Sequence, residues 1–101
     1  DERLKENVEK IDSRSALDQV LNLQGVTFTW KDGQRQGEKQ IGFIAQEVEK
    51  VVPEVVREQE RIDDQTFKTV DYENMVALLT EAIKEQQKQI DELKAMINGS
   101  A

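Results

Sequence analysis

The chain has 101 residues, with 14 Lys and Arg, 21 Asp and Glu and no His, so that its formal net charge is −7. This length predicts one compact domain, and because 35% of the residues are charged, its core will be modest and we expect help from partner subunits. The absence of Cys and His excludes disulfides, His-dependent catalytic triads and His-bearing zinc sites, and the acidic balance argues against nucleic acid binding.

Membrane and metal partners are not expected either. No apolar run approaches the ~18 residues of a membrane span, and the start of the chain does not have the pattern of a signal peptide. The carboxylate-rich residues 47–64 lack a calcium-binding loop of EF-hand spacing, so we expect a solvated face there, with no metal and no cofactor. Because the chain begins at Asp1 without Met, we expect a fragment or a processed product.

The first predicted element is an arm followed by a helix. Residues 1–12 carry three apolar side chains among charges, at a spacing that fits a short helix and an extended arm equally well, so both alternatives stay open. Ser15 is placed to cap a helix over residues 15–23, with Asp18 at its positive end. Gly25 is placed to leave that helix.

The middle of the chain predicts short strands and a second helix. Alternation of apolar and polar residues predicts a strand over residues 26–30, and the apolar-free residues 31–40 predict an exposed hairpin loop. A second strand is predicted over residues 41–45 and a short helix over residues 46–52, which Pro53 should close.

Two further strands complete the predicted sheet. Val55 and Val56 predict a brief strand, the polar residues 57–65 a turn, and the alternating residues 67–70 another strand. The elements together predict a small, mainly antiparallel sheet with short helices.

A single long helix is predicted over residues 72–98, beginning after the capping residue Asp71. Its apolar positions alternate at spacings of three and four residues, which is an a/d heptad seam: Val76, Leu79, Ile83, Gln86, Ile90, Leu93 and Ile97. Few opposed charges flank the seam, which favours a multi-stranded bundle, with Gln86 as a polar layer that sets register. The alternative that the seam packs on the chain's own sheet stays open.

Four blocks, in order along nearly the whole chain, resemble one family: DERLKENV at 1–8, GVTFTWK at 25–31, QIGFIAQEV at 40–48 with Pro53-Glu54, and Val70-Asp71-Tyr72 before the long helix. The chain resembles the intramolecular chaperone domain of phage tailspikes and tail fibres, the S74 peptidase family, as found in endosialidase tailspikes. The predicted elements amount to an α+β head over residues 1–70, a coiled-coil helix over 71–98 and a tail over 99–101, and the resemblance implies that the coiled coil is trimeric.

The resemblance also implies a function and a site. Such domains form homotrimers, assist the folding of the β-structured fibre that precedes them, and then cut themselves off between a Ser and an Asp. Asp1 matches the residue after the cut and Lys5 the base of the Ser/Lys dyad, with Arg3 as a supporting cation. The Ser is missing before Asp1, so we expect the released product, which is no longer catalytic. A lysine base must be neutral, so burial or nearby positive charge has to lower its pKa.

Some alternatives stay open beside that implication. If the chain is a self-releasing chaperone, it acts in the host cytoplasm during phage assembly and is absent from the mature virion. The alternative is a permanent trimerisation or adaptor module, which could also belong to a membrane-tethered transcription factor. Trp30 could grip the client chain, although a Trp at the end of an alternating strand is more often part of a core.

Overall fold

The computed structural model describes residues 1–60 and 65–99 of the chain. Its architecture is α+β, as expected. The helices are α1 (Ser13–Leu21), α2 (Ala45–Glu49) and α3 (Tyr72–Gly99), with 3-10 turns at Glu2–Leu4 and Pro53–Val55. The strands are β1 (Val26–Thr29), β2 (Lys39–Gly42), β3 (Val56–Glu60) and β4 (Thr66–Val70).

The strands form two separate antiparallel ribbons rather than the single sheet that we predicted. β1 pairs with β2, with Val26 opposite Gly42 and Thr29 opposite Lys39. β3 pairs with β4, with Val56 opposite Val70. The periodicity identifies strands but carries no information about which strands pair, so one sheet and two ribbons look alike in the sequence.

The predicted turn over residues 57–65 is wrong in its first part. Residues 57–60 belong to β3, where Arg57 lies opposite Thr69 and Gln59 lies opposite Phe67. Arg57, Glu58 and Gln59 are all exposed, so this part of the strand needs no apolar alternation, and hydrophobic patterning does not reveal it. Residues 61–64 of the predicted turn lie outside the described residues.

The helix α1 begins two residues earlier than predicted. Asp12 precedes its first turn, and Ser15 lies inside the helix, where its hydroxyl donates a hydrogen bond to the Asp12 carboxylate at 2.8 Å. The predicted capping role of Ser15 is therefore wrong. The helix ends at Leu21, and its buried residues are Ala16 and Leu17.

The predicted second strand and second helix are both shifted toward the amino end. β2 ends at Gly42, and Ala45 begins α2 instead of ending the strand. The helix α2 ends at Glu49, and Pro53 opens a 3-10 turn, because a proline is tolerated at the first position of a helix. The exposed loop between β1 and β2 is confirmed.

The core lies between the helices, and both ribbons are peripheral to it. Its buried side chains come from α1, α2, the 3-10 turn after α2, and α3: Ala16, Leu17, Val48, Val52, Val55, Met75, Leu78 and Ala82. Trp30 was predicted to be core, and this is wrong, since 44% of it is exposed. The long helix α3 confirms the prediction over 72–98, and the last two residues of the predicted tail, 100–101, lie outside the described residues.

Candidate functional site

An exposed apolar ridge runs along α3. We define this ridge as the seven predicted seam positions: Val76, Leu79, Ile83, Gln86, Ile90, Leu93 and Ile97. All seven are exposed, and the exposed fraction of the apolar ones ranges from 39% at Leu79 to 71% at Ile97. Soluble chains rarely leave a continuous apolar surface of this kind uncovered, so the ridge is a candidate for association.

A second stripe of α3, one residue out of phase with the ridge, makes the contacts within the chain. Its members Met75, Leu78, Ala82 and Glu85 are buried, and α3 packs mainly against α1. The alternative that the ridge packs on the chain's own sheet is therefore wrong. Sequence reasoning missed this stripe, although it repeats the spacing of the ridge and could have been found by that repeat.

The carboxyl half of α3 extends away from the rest of the molecule. Residues 86–99 are all exposed, and we call them the stem. The radius of gyration is 18.5 Å, against about 13 Å expected for a compact domain of this length. A lone helix of the stem's length is marginally stable in water, because most helical stability in proteins comes from packing. The stem therefore leaves its side chains, including the carboxyl-terminal half of the ridge, exposed to solvent.

A charged residue ends the buried stripe of α3. Glu85 is 2% exposed, and its carboxylate lies 3.9 Å from the guanidinium of Arg14 on α1, whose side chain is largely exposed. Gln86 follows it on the ridge. A polar ridge residue of this kind favours one register when helices associate, at a cost in stability.

Tyr72 joins the amino end of α3 to the β1–β2 ribbon. Its hydroxyl accepts a hydrogen bond from the backbone N–H of Phe43 at 3.1 Å, and the two rings stack with centroids 6.0 Å apart. A side chain at Gly42 would place its Cβ 2.7 Å from that hydroxyl. Glycine at this position therefore permits the close approach of Tyr72.

Asp71 is tied to the neighbouring ribbon and to the first turn of α3. Its carboxylate accepts hydrogen bonds from Arg57 Nε at 3.1 Å and from the Asn74 side chain at 3.0 Å. The block that contains Asp71 and Tyr72 thus fixes where α3 starts relative to both ribbons.

The predicted cleavage residues lie in the 3-10 turn that opens the chain. The Asp1 carboxylate accepts from the Arg3 backbone N–H at 2.8 Å and from the Arg3 guanidinium at 2.7 Å. Asp1 thus caps the turn, and a two-point contact of this kind is geometrically specific. The structure brings Asp1 and Arg3 together, and the arm continues without regular structure to α1, with Leu4 and Val8 exposed.

Lys5 follows this turn in an extended backbone conformation. Its backbone N–H donates to the carbonyl of Glu2 at 3.2 Å, and its side chain is exposed. Within residues 1–60 and 65–99, the Lys5 ammonium makes no ion pair. A base role for Lys5 would thus need surroundings that another chain or a preceding segment supplies.

Two ion pairs shift the pKa of their members. The hydrogen bond that Lys68 donates to Glu49 raises the pKa of the Lys68 ammonium above its ordinary value. In the β1–β2 loop, the hydrogen bond from Arg35 lowers the pKa of Glu38. The first pair links β4 to α2, and the second lies on the exposed loop.

Neither a metal centre nor a membrane helix is found in the described part of the chain. No group of three or more acidic side chains there is placed to hold a metal ion. None of the helices described is both long and apolar enough to cross a membrane.

Comparison with known proteins identifies the family. The family described as chaperone of endosialidase, Peptidase S74, matches residues 1–57, which is more than half of the chain. The chain belongs to the chaperone of endosialidase family. It is also 35% identical over 99 residues to the long tail fiber protein Gp37 of Enterobacteria phage K3, and equally identical to that of Enterobacteria phage T2. Each alignment covers 96% of the chain but only 8% and 7% of the respective relative.

The family match and the ridge occupy different parts of the chain. Asp1, Arg3 and Lys5 lie within the residues that match the chaperone of endosialidase family, whereas the ridge lies after them, in the part aligned only with the fibre proteins.

Proposed function

We propose that this chain is a C-terminal intramolecular chaperone that joins three copies through the ridge, assists the folding of a phage tail fibre or tailspike, and is then released by Ser/Lys autoproteolysis just before Asp1. The observation that carries the assembly step is the exposed apolar ridge, which runs along α3 and continues onto the exposed stem. The family and the tail fibre relatives support the fibre as client.

Three copies fit the ridge better than two. Positions beside the seam, such as Gln87, Gln89 and Met96, offer few of the opposed charges that fix a dimer pair. In the amino-terminal half of α3, Ala82 lies beside the seam and is covered by the core of the same chain. In an assembly, α1 therefore flanks each copy of α3 there.

Assembly through the ridge answers a kinetic problem of fibre folding. Chains that wind into one β-structure must meet in register, and such non-local pairing is slow and exposes edges that aggregate. Joining the carboxyl ends makes this an intramolecular event, at an effective concentration of about millimolar for a short connection. The chaperone acts in the host cytoplasm during virion assembly.

Release follows from chemistry at the amino end. The hydroxyl of a Ser before Asp1 attacks as nucleophile while neutral Lys5 takes its proton. The C–N bond before Asp1 breaks, its nitrogen leaves as the Asp1 amine with a proton from Lys5, and water hydrolyses the ester. Since Lys5 is exposed here, we propose that packing of three arms with the fibre supplies the desolvation that makes it a base. The released part is then absent from the virion, and the fibre is held by kinetic stability.

A precursor tests both assembly and release. In this precursor the fibre precedes the chain, with a Ser directly before Asp1, and it is compared with the same precursor carrying Lys5→Ala or the charge-keeping Lys5→Arg. Intact-mass measurement should find an 11.6 kDa product from the unchanged precursor and none from either variant. Sedimentation should find trimers for all three.

The outcomes separate the two candidate functions. A precursor that forms trimers and a folded fibre but stays uncut contradicts release, and favours a permanent trimerisation module. Efficient cutting of Lys5→Ala removes Lys5 from the mechanism. A monomeric chain at micromolar concentration contradicts the proposal as a whole.

A further inference from the structure

A groove of about 550 Å³ lies beside the amino end of α3, between the two ribbons. Its apolar lining includes Phe28 and Trp30 from β1 and its end, Phe43 and Ile44 before α2, and Tyr72. Trp30, Ile44 and Tyr72 are each exposed, and Trp30 packs edge-on against Phe28 with ring centroids 5.0 Å apart. Half-exposed aromatic side chains in a concave surface are typical of the centres of protein interfaces.

Resting on the proposed function, we infer that this groove is covered by a second copy of the same chain, so that the homotypic interface includes the head as well as the ridge. Tyr72 lies four residues before Val76, and thus continues the alternation of three and four residues of the ridge. Tyr72 therefore extends the line of the ridge by one position toward the amino end of α3, and it is also a wall of the groove.

The geometry of a parallel, in-register assembly places the neighbouring head at this level. Chains that pack along the ridge bring their Tyr72 residues to the same height, and the contacts of Tyr72 with Phe43 hold the β1–β2 ribbon on that side of α3. In a closed threefold ring the interface is heterologous, so the surface that enters the groove differs from the groove itself.

The lining of the groove differs in charge from the rest of the chain. The chain carries a net charge of −7, yet among the described residues that line the groove there is no carboxylate, and Lys68 is their one charged member. The Glu49 carboxylate, which lies beside that lining, is paired with Lys68, so another equally acidic copy meets no unpaired carboxylate on the lining of the groove.

The arm reaches α3 on another side. Glu9, Lys10 and Ile11 line a separate depression with Ala77 and Lys84, which lie about 100° or more around the helix from the centre of the ridge. The fibre that precedes Asp1 in the proposed precursor is thus connected to the head through a surface other than the groove.

Single cysteines test the occupant directly, because the chain has none of its own. Ile44→Cys lies in the groove and Ile11→Cys in the arm depression, and the two native side chains are matched at 41% and 43% exposure. Each is labelled with maleimide in the isolated chain, and in a background with Ile83→Glu and Ile90→Glu that disrupts the ridge. A second measurement needs no cysteine. The fluorescence of Trp30, the one Trp of the sequence, is quenched with acrylamide while the unsubstituted chain is diluted.

We expect Ile44→Cys to react about tenfold more slowly in the assembled chain than in the ridge-disrupted background, as for a residue in an interface core, and Ile11→Cys to change less than about twofold. Trp30 should become more quenchable as the assembly dissociates. If the chain is trimeric but Ile44→Cys reacts equally fast in both backgrounds, the inference is overturned while the proposed function stands. Ile44→Cys is also labelled in the uncut precursor that carries the fibre, and protection that appears only there overturns the inference in favour of the client. A chain that is monomeric throughout overturns the proposed function itself.

Discussion

The hydroxyl of Tyr72 accepts a hydrogen bond from the backbone N–H of Phe43, while the rings of the two residues stack. Tyr72→Phe keeps the ring contact and leaves that N–H without its acceptor. We expect the free energy of unfolding to fall by about 1 kcal/mol, the usual net contribution of one hydrogen bond. Urea denaturation followed by circular dichroism measures it.

Gly42 offers a double-mutant cycle on the same contact. In Gly42→Ala the new methyl lies 2.7 Å from the Tyr72 hydroxyl, and we expect a loss of about 1–3 kcal/mol from overpacking. Removing the hydroxyl relieves that clash, so Gly42→Ala should cost less in the Tyr72→Phe background than alone. Strictly additive losses in urea denaturation would contradict the close approach.

Leu78 and Leu93 are the same residue type on the two stripes of α3. Leu78 is 7% exposed in the core and Leu93 is 58% exposed on the ridge. We expect Leu78→Ala to lower the free energy of unfolding by about 2–5 kcal/mol, through lost burial and a cavity, at every protein concentration. Thermal melting over a concentration series measures it.

The matched change on the ridge should act differently. Leu93→Ala should lower the melting temperature most where the chain is assembled, and little on dilution, because only association buries Leu93. Sedimentation should show weaker association. Equal losses at all concentrations for Leu93→Ala would contradict a role of the ridge in assembly.

Local signals in the sequence predicted α3 well. Residues 72–98 contain no Pro or Gly, and Asp71, a residue type that favours the start of a helix, precedes them, so both the length and the seam could be predicted. Which stripe faces the chain's own core could not, because Leu78 and Leu79 belong to stripes of the same period. Which stripe is buried depends on where α1 packs, and that is set by the tertiary structure.

The head was harder to predict for similar reasons. The polar strand β3 has no apolar alternation, and Trp30 continues the alternation of β1 but lies after the end of that strand, where 44% of it is exposed. At the amino end, the family resemblance singled out Asp1, Arg3 and Lys5. The contact between Asp1 and Arg3 depends on a turn geometry that spacing alone does not specify.

The pair of Arg14 and Glu85 tests how a buried charge is tolerated beside the core. Arg14→Met takes the cation from a carboxylate that is 2% exposed, and we expect a loss of about 1 kcal/mol or more in the free energy of unfolding. Glu85→Leu removes the buried charge and should leave stability unchanged or higher. As a control for surface pairing, Arg3→Met should change urea-unfolding stability by less than about 1 kcal/mol. An unchanged free energy of unfolding in Arg14→Met would contradict a role of Arg14 in stabilising the Glu85 carboxylate.

The alkaline limit of stability tests the pair of Lys68 and Glu49. The hydrogen bond to Glu49 raises the pKa of Lys68 in the folded chain, so its stabilisation is complete below the unfolded value of about 10.4 and is lost as pH rises through the folded value. We therefore expect the melting temperature to fall less between about pH 9 and pH 12 in Lys68→Met than in the unsubstituted chain. The control Lys84→Met, which removes the exposed pair with Glu81, should keep most of the loss. The same alkaline loss in Lys68→Met as in the unsubstituted chain would show that this pair does not couple β4 to α2.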